Sequence, residues 1–264
     1  MSISLFDLTG RTALVTGSSR GLGRAFADGL AGAGARVILN GQDPDRLEAA
    51  AAEMRAEGHD VLTLAFDVAD EGAIVAAFQR LDADGVDVDI LVNNAGIQFR
   101  RPMLELDSAD WRRVIDINLT SAFHTTAVAL PMMRAAGWGR IVNVASAHGL
   151  TASAFKSAYV AAKHGIVGFT KVTALETARE PITCNAVCPG YVLTPLVEAQ
   201  IPDTMKEYGL SREEVIQKVM LERQPSKDFV TVEQLGDTTA FLCSDAAAQI
   251  TGTTVSVDGG WTAL

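Results

Sequence analysis

Tyr159 and Lys163 frame the run Tyr-Val-Ala-Ala-Lys, and a four-residue spacing puts both side chains on one helix face, one turn apart. A phenol with an ordinary pKa near 10 is a poor base at neutral pH, and a neighbouring ammonium favours its phenolate, so the pair reads as a tuned acid/base. Ser146, upstream at the end of a β-branched run, can hold a substrate oxygen by a hydrogen bond, and Asn118 can extend a proton path by holding a water. A bare Tyr-x-x-x-Lys is common on amphipathic helices. Weight comes from a second feature, the loop Thr16-Gly17-Ser18-Ser19-Arg20-Gly21-Leu22-Gly23 between a predicted strand and a predicted helix. Glycines at 17, 21 and 23 permit a tight turn and close approach of backbone N–H groups to a pyrophosphate at the positive end of that helix. The strand–turn–helix context makes dinucleotide binding the expectation.

The choice of dinucleotide is less marked. The second predicted strand ends Leu39-Asn40-Gly41-Gln42, with no carboxylate for a ribose 2′-hydroxyl and no arginine for a 2′-phosphate. Arg20, inside the glycine loop, can serve a 2′-phosphate or be a solvated cation. Because Gln42 can hydrogen-bond a hydroxyl without countering a phosphate, NAD is the expected cofactor, with NADP as the alternative.

Around the acid/base pair stand Gln98, His148 two residues past Ser146, Lys156 one turn before Tyr159, and Gln200. A cation with several donors suits an anionic substrate, a carboxylate. Yet a lysine at a helix start is usually solvated and a lone histidine at a strand end usually structural, so spacing alone leaves both readings open.

These residues need a frame. Short β-branched runs at 12–16, 36–40, 61–65, 90–93, 140–145, 182–187 and 254–257 alternate with Ala-rich, charge-faced segments such as 45–57, the βαβα pattern of a parallel sheet covered by helices. The expected fold is α/β, one Rossmann-type doubly wound sheet of about seven parallel strands, forming a single domain over 1–264 with no linker or repeat. The interval 194–227 breaks the rhythm with a helical, charge-mixed insert, expected to act as a lid. A net charge of −10 from 22 basic and 32 acidic residues argues against nucleic acid as partner. An apolar content of 48 % belongs to a globular chain. The charge-free run 117–133 carries Asn, Ser, Thr, His and Pro, so no membrane span is expected. The N-terminus lacks a basic start and apolar core, and Cys184, Cys188 and Cys243 form no Cys-x-x-Cys pair. A cytoplasmic location, buried thiols and no metal site follow as expectations.

In combination these motifs resemble the short-chain dehydrogenase/reductase family over essentially the whole length: the glycine loop, Asp67, Asn93-Asn94-Ala95-Gly96, Asn118, Ser146, Tyr159 with Lys163, and Pro189-Gly190. The resemblance implies a commonly tetrameric enzyme with Asn118, Ser146, Tyr159 and Lys163 as its catalytic set. It implies that Thr16, Gly17, Ser19, Arg20, Gly21, Leu22 and Gly23 hold the cofactor, with Asp67 and Val68 by the adenine and Asn94, Ala95 and Gly96 along it. Pro189, Gly190, Val192 and Thr194, with Tyr159 and Lys163, would hold the nicotinamide side. Within the family, Asn94–Gln98, 145–150, Phe155–Tyr159, 193–201 and 224–231 through Trp261 resemble the bacterial D-3-hydroxybutyrate dehydrogenases. That resemblance implies (R)-3-hydroxybutyrate and acetoacetate as the substrate pair, with Gln98, His148, Lys156 and Gln200 on the carboxylate and Tyr191 and Trp261 lining the pocket. Tyr191 departs from that branch, where a Trp is expected. The first third reads more like sugar-acid reductases such as gluconate 5-dehydrogenase, so a sugar-acid or generic 3-oxo reductase using NADP is the alternative enzyme. A catalytically silent dinucleotide sensor is the alternative outside enzymes.

Overall fold

A computed structural model describes residues 6–264. Seven strands, β1 (Thr12–Val15), β2 (Arg36–Gly41), β3 (Val61–Ala65), β4 (Ile90–Asn93), β5 (Gly139–Val144), β6 (Ile182–Pro189) and β7 (Thr254–Val257), form one sheet in the order β3-β2-β1-β4-β5-β6-β7. Every pairing is parallel. The strands are apolar at successive positions because both faces are covered. Alternate residues divide between two cores: Ala13, Val15, Val37 and Leu39 pack with Phe26, Leu30, Leu47 and Met54, while Leu14, Ile38 and Ile141 pack with Ile74, Phe78 and Met133 on the other side.

The covering helices are α1 (Gly21–Gly32), α2 (Pro44–Ala56), α3 (Glu71–Ala83), α4 (Ser108–Ile115), α5 (Ser121–Ala136), α6 (Ser157–Glu176), α7 (Pro195–Tyr208), α8 (Arg212–Glu214) and α9 (Val232–Cys243). Asp43, Asp70 and Asp107 cap α2, α3 and α4 by accepting a backbone N–H in each first turn, which satisfies donors the helix leaves free. A π-helical turn, Asp116–Thr120, joins α4 to α5. A second one, Val215–Met220, continues α8. The interval 194–227 is therefore mostly helical, as its sequence suggests. Strand β6 runs two residues past the expected 187, because Cys188 and Pro189 still pair with Ser256 and Val257 of β7.

Strand order reverses between β1 and β4, whose successors lie on opposite sides. Parallel sheets open a crevice at the carboxyl ends of the strands at such a point. The glycine loop after β1, the Asn94–Gly96 segment after β4, Ser146 after β5 and Gly190 after β6 all leave the sheet at that end.

Candidate active site

On the β1–β4 side, short polar groups hold backbone in place. Thr16 Oγ1 accepts from the N–H groups of Asn94 and Ala95 at 2.9 and 3.0 Å. Asn94 Nδ2 donates to the carbonyls of Thr16 and Gly17 at 2.8 and 3.2 Å. Asn40 is not a ribose ligand in waiting. It is buried, its Oδ1 accepts from Gly17 N, and its Nδ2 donates to the carbonyls of Leu64 and Phe66, so it ties the glycine loop to β3. Gln42 beyond it is exposed.

The glycine loop fits a bound pyrophosphate. A Cβ on Gly23 would sit 2.2 Å from the Gly17 carbonyl oxygen, whereas one on Gly21 would meet nothing within 4 Å; the loop is tight beneath and open above. Helix α1 starts at this opening with no side-chain cap and no acidic residue in its first turn. Its unpaired N–H groups and dipole favour an anion there. Ser19 is half-buried, Arg20 exposed and Leu22 half-buried at this rim. Asp67 accepts from Ala69 N at 2.9 Å, holding the turn in which Val68 is buried. Pro189 and Gly190 close the far side. A Cβ on Gly190 would lie 2.5 Å from Gln224 Oε1, and Gly190 N donates to Val257 O. Val192 is buried, and Thr194 caps α7 by accepting from Val197 N at 3.3 Å.

On the β5 side the structure brings the acid/base residues together. Ser146 follows β5 and caps the 3-10 turn Ala147–Gly149, its Oγ accepting from His148 N at 3.1 Å. That turn packs directly on α6, since a Cβ on Gly149 would be 2.7 Å from the Lys163 carbonyl oxygen. Helix α6 carries Tyr159 and Lys163. Lys163 Nζ donates to Val144 O at 2.6 Å and lies 5.6 Å from the Tyr159 ring centroid. Burial pushes Lys163 down to about 8, still cationic at neutral pH. Burial pushes the Tyr159 phenol up, and the opposing influence is a hydrogen bond from Ser146. Against the expected lowering of Tyr159 by Lys163, whose Nζ donates to Val144 O, burial is the larger influence on the phenol.

Asn118 is buried in the π turn, with Oδ1 accepting from Ile97 N at 2.9 Å and Nδ2 donating to Ile97 O at 3.0 Å. Its amide pins the segment that presents Gln98, which is exposed.

His148 is buried, its ring edge-on to Tyr159 at 6.0 Å and to Trp261 at 5.2 Å between centroids. Burial first, then Lys156 and Arg223, push it down to about 4, so the imidazole is neutral. Lys156 is half-buried, and burial followed by Arg100 and Arg223 lowers its pKa. Tyr191 packs 6.0 Å from Phe229, and burial raises its phenol. Gln200, by contrast, is exposed on α7, and no hydrogen bond among the described residues draws its side chain to this group.

Three contributors were invisible in the sequence. Arg100 and Arg223 add cations beside Lys156. Phe155 adopts φ +68°, a region costly for a bulky residue, with its carbonyl accepting from Arg101 N at 2.9 Å. This kink precedes Lys156 and sets where that side chain leaves the backbone. All three cysteines are buried and unpaired.

A family model described as short chain dehydrogenase matches residues 11–204. The chain belongs to the short-chain dehydrogenase family. This short-chain dehydrogenase is 51 % identical to a D-beta-hydroxybutyrate dehydrogenase of Rhizobium meliloti, over 96 % of the chain and 99 % of the relative. It is 50 % identical to one of Cupriavidus necator, over 97 % and 99 %. Among solved structures, a gluconate 5-dehydrogenase from Burkholderia cenocepacia in complex with NADP and tartrate superposes with a TM-score of 0.90 at 33 % identity, covering 98 % of each chain. The family uses a nicotinamide cofactor, and no helix among the described residues is long and apolar enough to cross a membrane.

Proposed function

We propose that this short-chain dehydrogenase interconverts (R)-3-hydroxybutyrate and acetoacetate with NAD and NADH. One observation carries the choice of substrate: Lys156 is half-buried beside neutral His148, and the charges that perturb it are the cations Arg100 and Arg223. In a chain of net charge −10, cations gathered around Lys156, with no carboxylate among the influences on it, suit an anionic ligand. The relatives at 50–51 % identity that carry the hydroxybutyrate name support the same choice.

When bound, the nicotinamide cofactor would supply the hydride acceptor or donor. Tyr159, as phenolate, takes the hydroxyl proton in oxidation and returns it in reduction. Ser146 donates a hydrogen bond to the reacting oxygen. Lys163, held by Val144 O, keeps positive charge beside Tyr159 and would hold the nicotinamide ribose of the bound cofactor. Asn118 serves the proton relay by placement, its amide being committed to Ile97. Lys156 and Gln98 hold the carboxylate, His148 lines the pocket beside Ser146, and Trp261 and Tyr191 enclose the methyl end. The insert 194–227 closes as a lid over the substrate and brings Gln200 inward. The apolar residues Phe123 on α5 and Val172 and Leu175 on α6 are exposed, which supports self-association as a homotetramer; a single-domain, cytoplasmic enzyme completes the reading.

NAD is favoured because Asn40 is buried and Gln42 is a neutral donor and acceptor at the end of β2. Exposed Arg20 favours the second reading, a gluconate 5-dehydrogenase-like reductase using NADP. NADH absorbance with (R)-3-hydroxybutyrate and its S enantiomer, repeated with NADP and with gluconate, separates the two. A kcat/KM that is higher for gluconate, or with NADP equal to or above NAD, overturns the corresponding half of the proposal.

A further inference from the structure

Ser146 has one hydroxyl proton, and what it does depends on groups remote from it in the chain. Its Oγ accepts from His148 N at 3.1 Å and lies 3.5 Å from His148 Nδ1. The other ring nitrogen, Nε2, is 2.9 Å from Ser153 Oγ. Ser153 Oγ in turn lies 3.4 Å from Arg223 Nη1, which also donates to Ala152 O at 2.9 Å. Arg223 belongs to the insert and Ser153 to the loop between Ser146 and α6. Trp261 and Tyr159 flank the imidazole edge-on, so the ring is held in one plane.

A neutral imidazole has one N–H, a serine hydroxyl one proton, and a guanidinium only donors. If Ser146 gives its proton to the Tyr159 oxygen or to the substrate, it has none for His148 Nδ1. Nδ1 must then be the N–H, since two lone pairs would otherwise face each other. Nε2 is consequently an acceptor, and Ser153 must spend its own proton there. The remaining side of Ser153 Oγ accepts from Arg223, which cannot reverse. The charge acts in the same sense: a cation behind Ser153 repels the positive end of an Nε2–H bond and favours a lone pair there.

We propose that Arg223 is a positioning residue that fixes the direction of the chain Arg223 → Ser153 → His148 → Ser146, presenting the Ser146 proton to the reacting oxygen. The inference rests on Ser146 and Tyr159 being the reacting pair. It adds that the insert sets the histidine tautomer. Without Arg223, His148 can take the Nε2–H form, Ser146 turns its proton back to Nδ1, and the reacting oxygen loses a donor.

The test reads the tautomer directly. Long-range 1H–15N spectra of the full-length protein give a proton-bearing or bare signature for each imidazole nitrogen, and His148 is identified among the four histidines by the loss of its signals in His148→Gln. The expected result is Nδ1–H in the wild type, displacement toward Nε2–H in Arg223→Gln and in Ser153→Ala, and retention of Nδ1–H in Arg223→Lys, which keeps a donor-only cation. In turnover, Ser153→Ala lowers kcat about tenfold with less change in KM, as expected for a donor felt mainly in the transition state. Arg223→Gln lowers kcat similarly and raises KM as well, because it removes a cation beside Lys156, and Arg223→Lys restores most of both. An Nε2–H wild type overturns the proposal. So does an Nδ1–H tautomer that persists in Arg223→Gln, or in Ser153→Ala should the arginine variant fail to fold, even if kcat falls. Because the spectra need no substrate, absence of 3-hydroxybutyrate turnover counts against the proposed function and leaves the tautomer result standing.

Discussion

The two halves of the crevice are built from opposite materials. Beside β1 and β4, glycines, Thr16, Asn40 and Asn94 satisfy one another and the backbone through uncharged hydrogen bonds. Beside β5 and β6, Tyr159, Lys163, Lys156 and His148 are all displaced from their ordinary pKa values, with burial as the first cause in each case. A diphosphate needs a fixed surface of N–H donors, and uncharged networks supply that rigidity at little desolvation cost. Proton transfer needs groups whose protonation can change, and burial is what tunes them. One half holds shape and the other holds chemical potential.

The largest expected effects set the halves against each other. Gly23→Ala places a methyl 2.2 Å from the Gly17 carbonyl and 2.6 Å from Asn94 Nδ2, so the loop must shift. Dinucleotide binding measured by calorimetry should be lost, or the chain should fail to fold. Tyr159→Phe should leave dinucleotide binding within about threefold while turnover falls by about 10²–10⁴, the usual range for a positioned acid/base. Residual turnover above a tenth of wild type in Tyr159→Phe, or intact binding in Gly23→Ala, breaks the division of labour.

Lys156→Ala probes the substrate half alone. A desolvated, charge-assisted hydrogen bond is worth about 1.5–3 kcal/mol, roughly ten- to over a hundredfold in kcat/KM. Turnover of 3-hydroxybutyrate should fall at least about tenfold, and turnover of its uncharged ester much less. Equal losses on acid and ester would mean that Lys156 acts on Tyr159 or on α6 rather than on the carboxylate.

The same division decides what the sequence discloses. The nucleotide half is local, since Gly17, Gly21 and Gly23 lie within one loop; strands β3, β4 and β7 are legible to the residue because each β-branched run is bounded on at least one side by a polar residue, Asp60, Asp89 or Asp258. Tyr159 and Lys163 are local too, one helical turn apart. Arg223 and Ser153 meet only through the fold, since no periodicity connects the insert to the loop after β5. The left-handed backbone at Phe155 has no signature, because phenylalanine is not a turn residue. The π turn around Asn118 is equally silent, being an extra residue inside a continuous helix from 108 to 136. Asn40 shows the converse, a position read for what it lacks as a ribose ligand whose actual work is to bind the glycine loop to β3.

The smallest expected effect concerns pH and stability. His148 titrates near 4 in the folded protein, against an ordinary value of 6.5. Above 6.5 it is neutral both folded and unfolded and contributes no slope. Between 6.5 and 4 the unfolded chain binds a proton that the folded one refuses, so stability falls as pH falls, by up to about 1.4 kcal/mol per pH unit. Below 4 the folded form is protonated as well and the slope ends. Thermal unfolding of wild type and His148→Gln from pH 7.5 to 4.5 should therefore give curves that converge toward acid, the shared carboxylate titrations cancelling in the difference. Parallel curves would mean that the imidazole is solvated enough to protonate normally. The substrate half would then hold less tension than its burial implies, and the contrast with the glycine loop would rest on Tyr159, Lys156 and Lys163 alone.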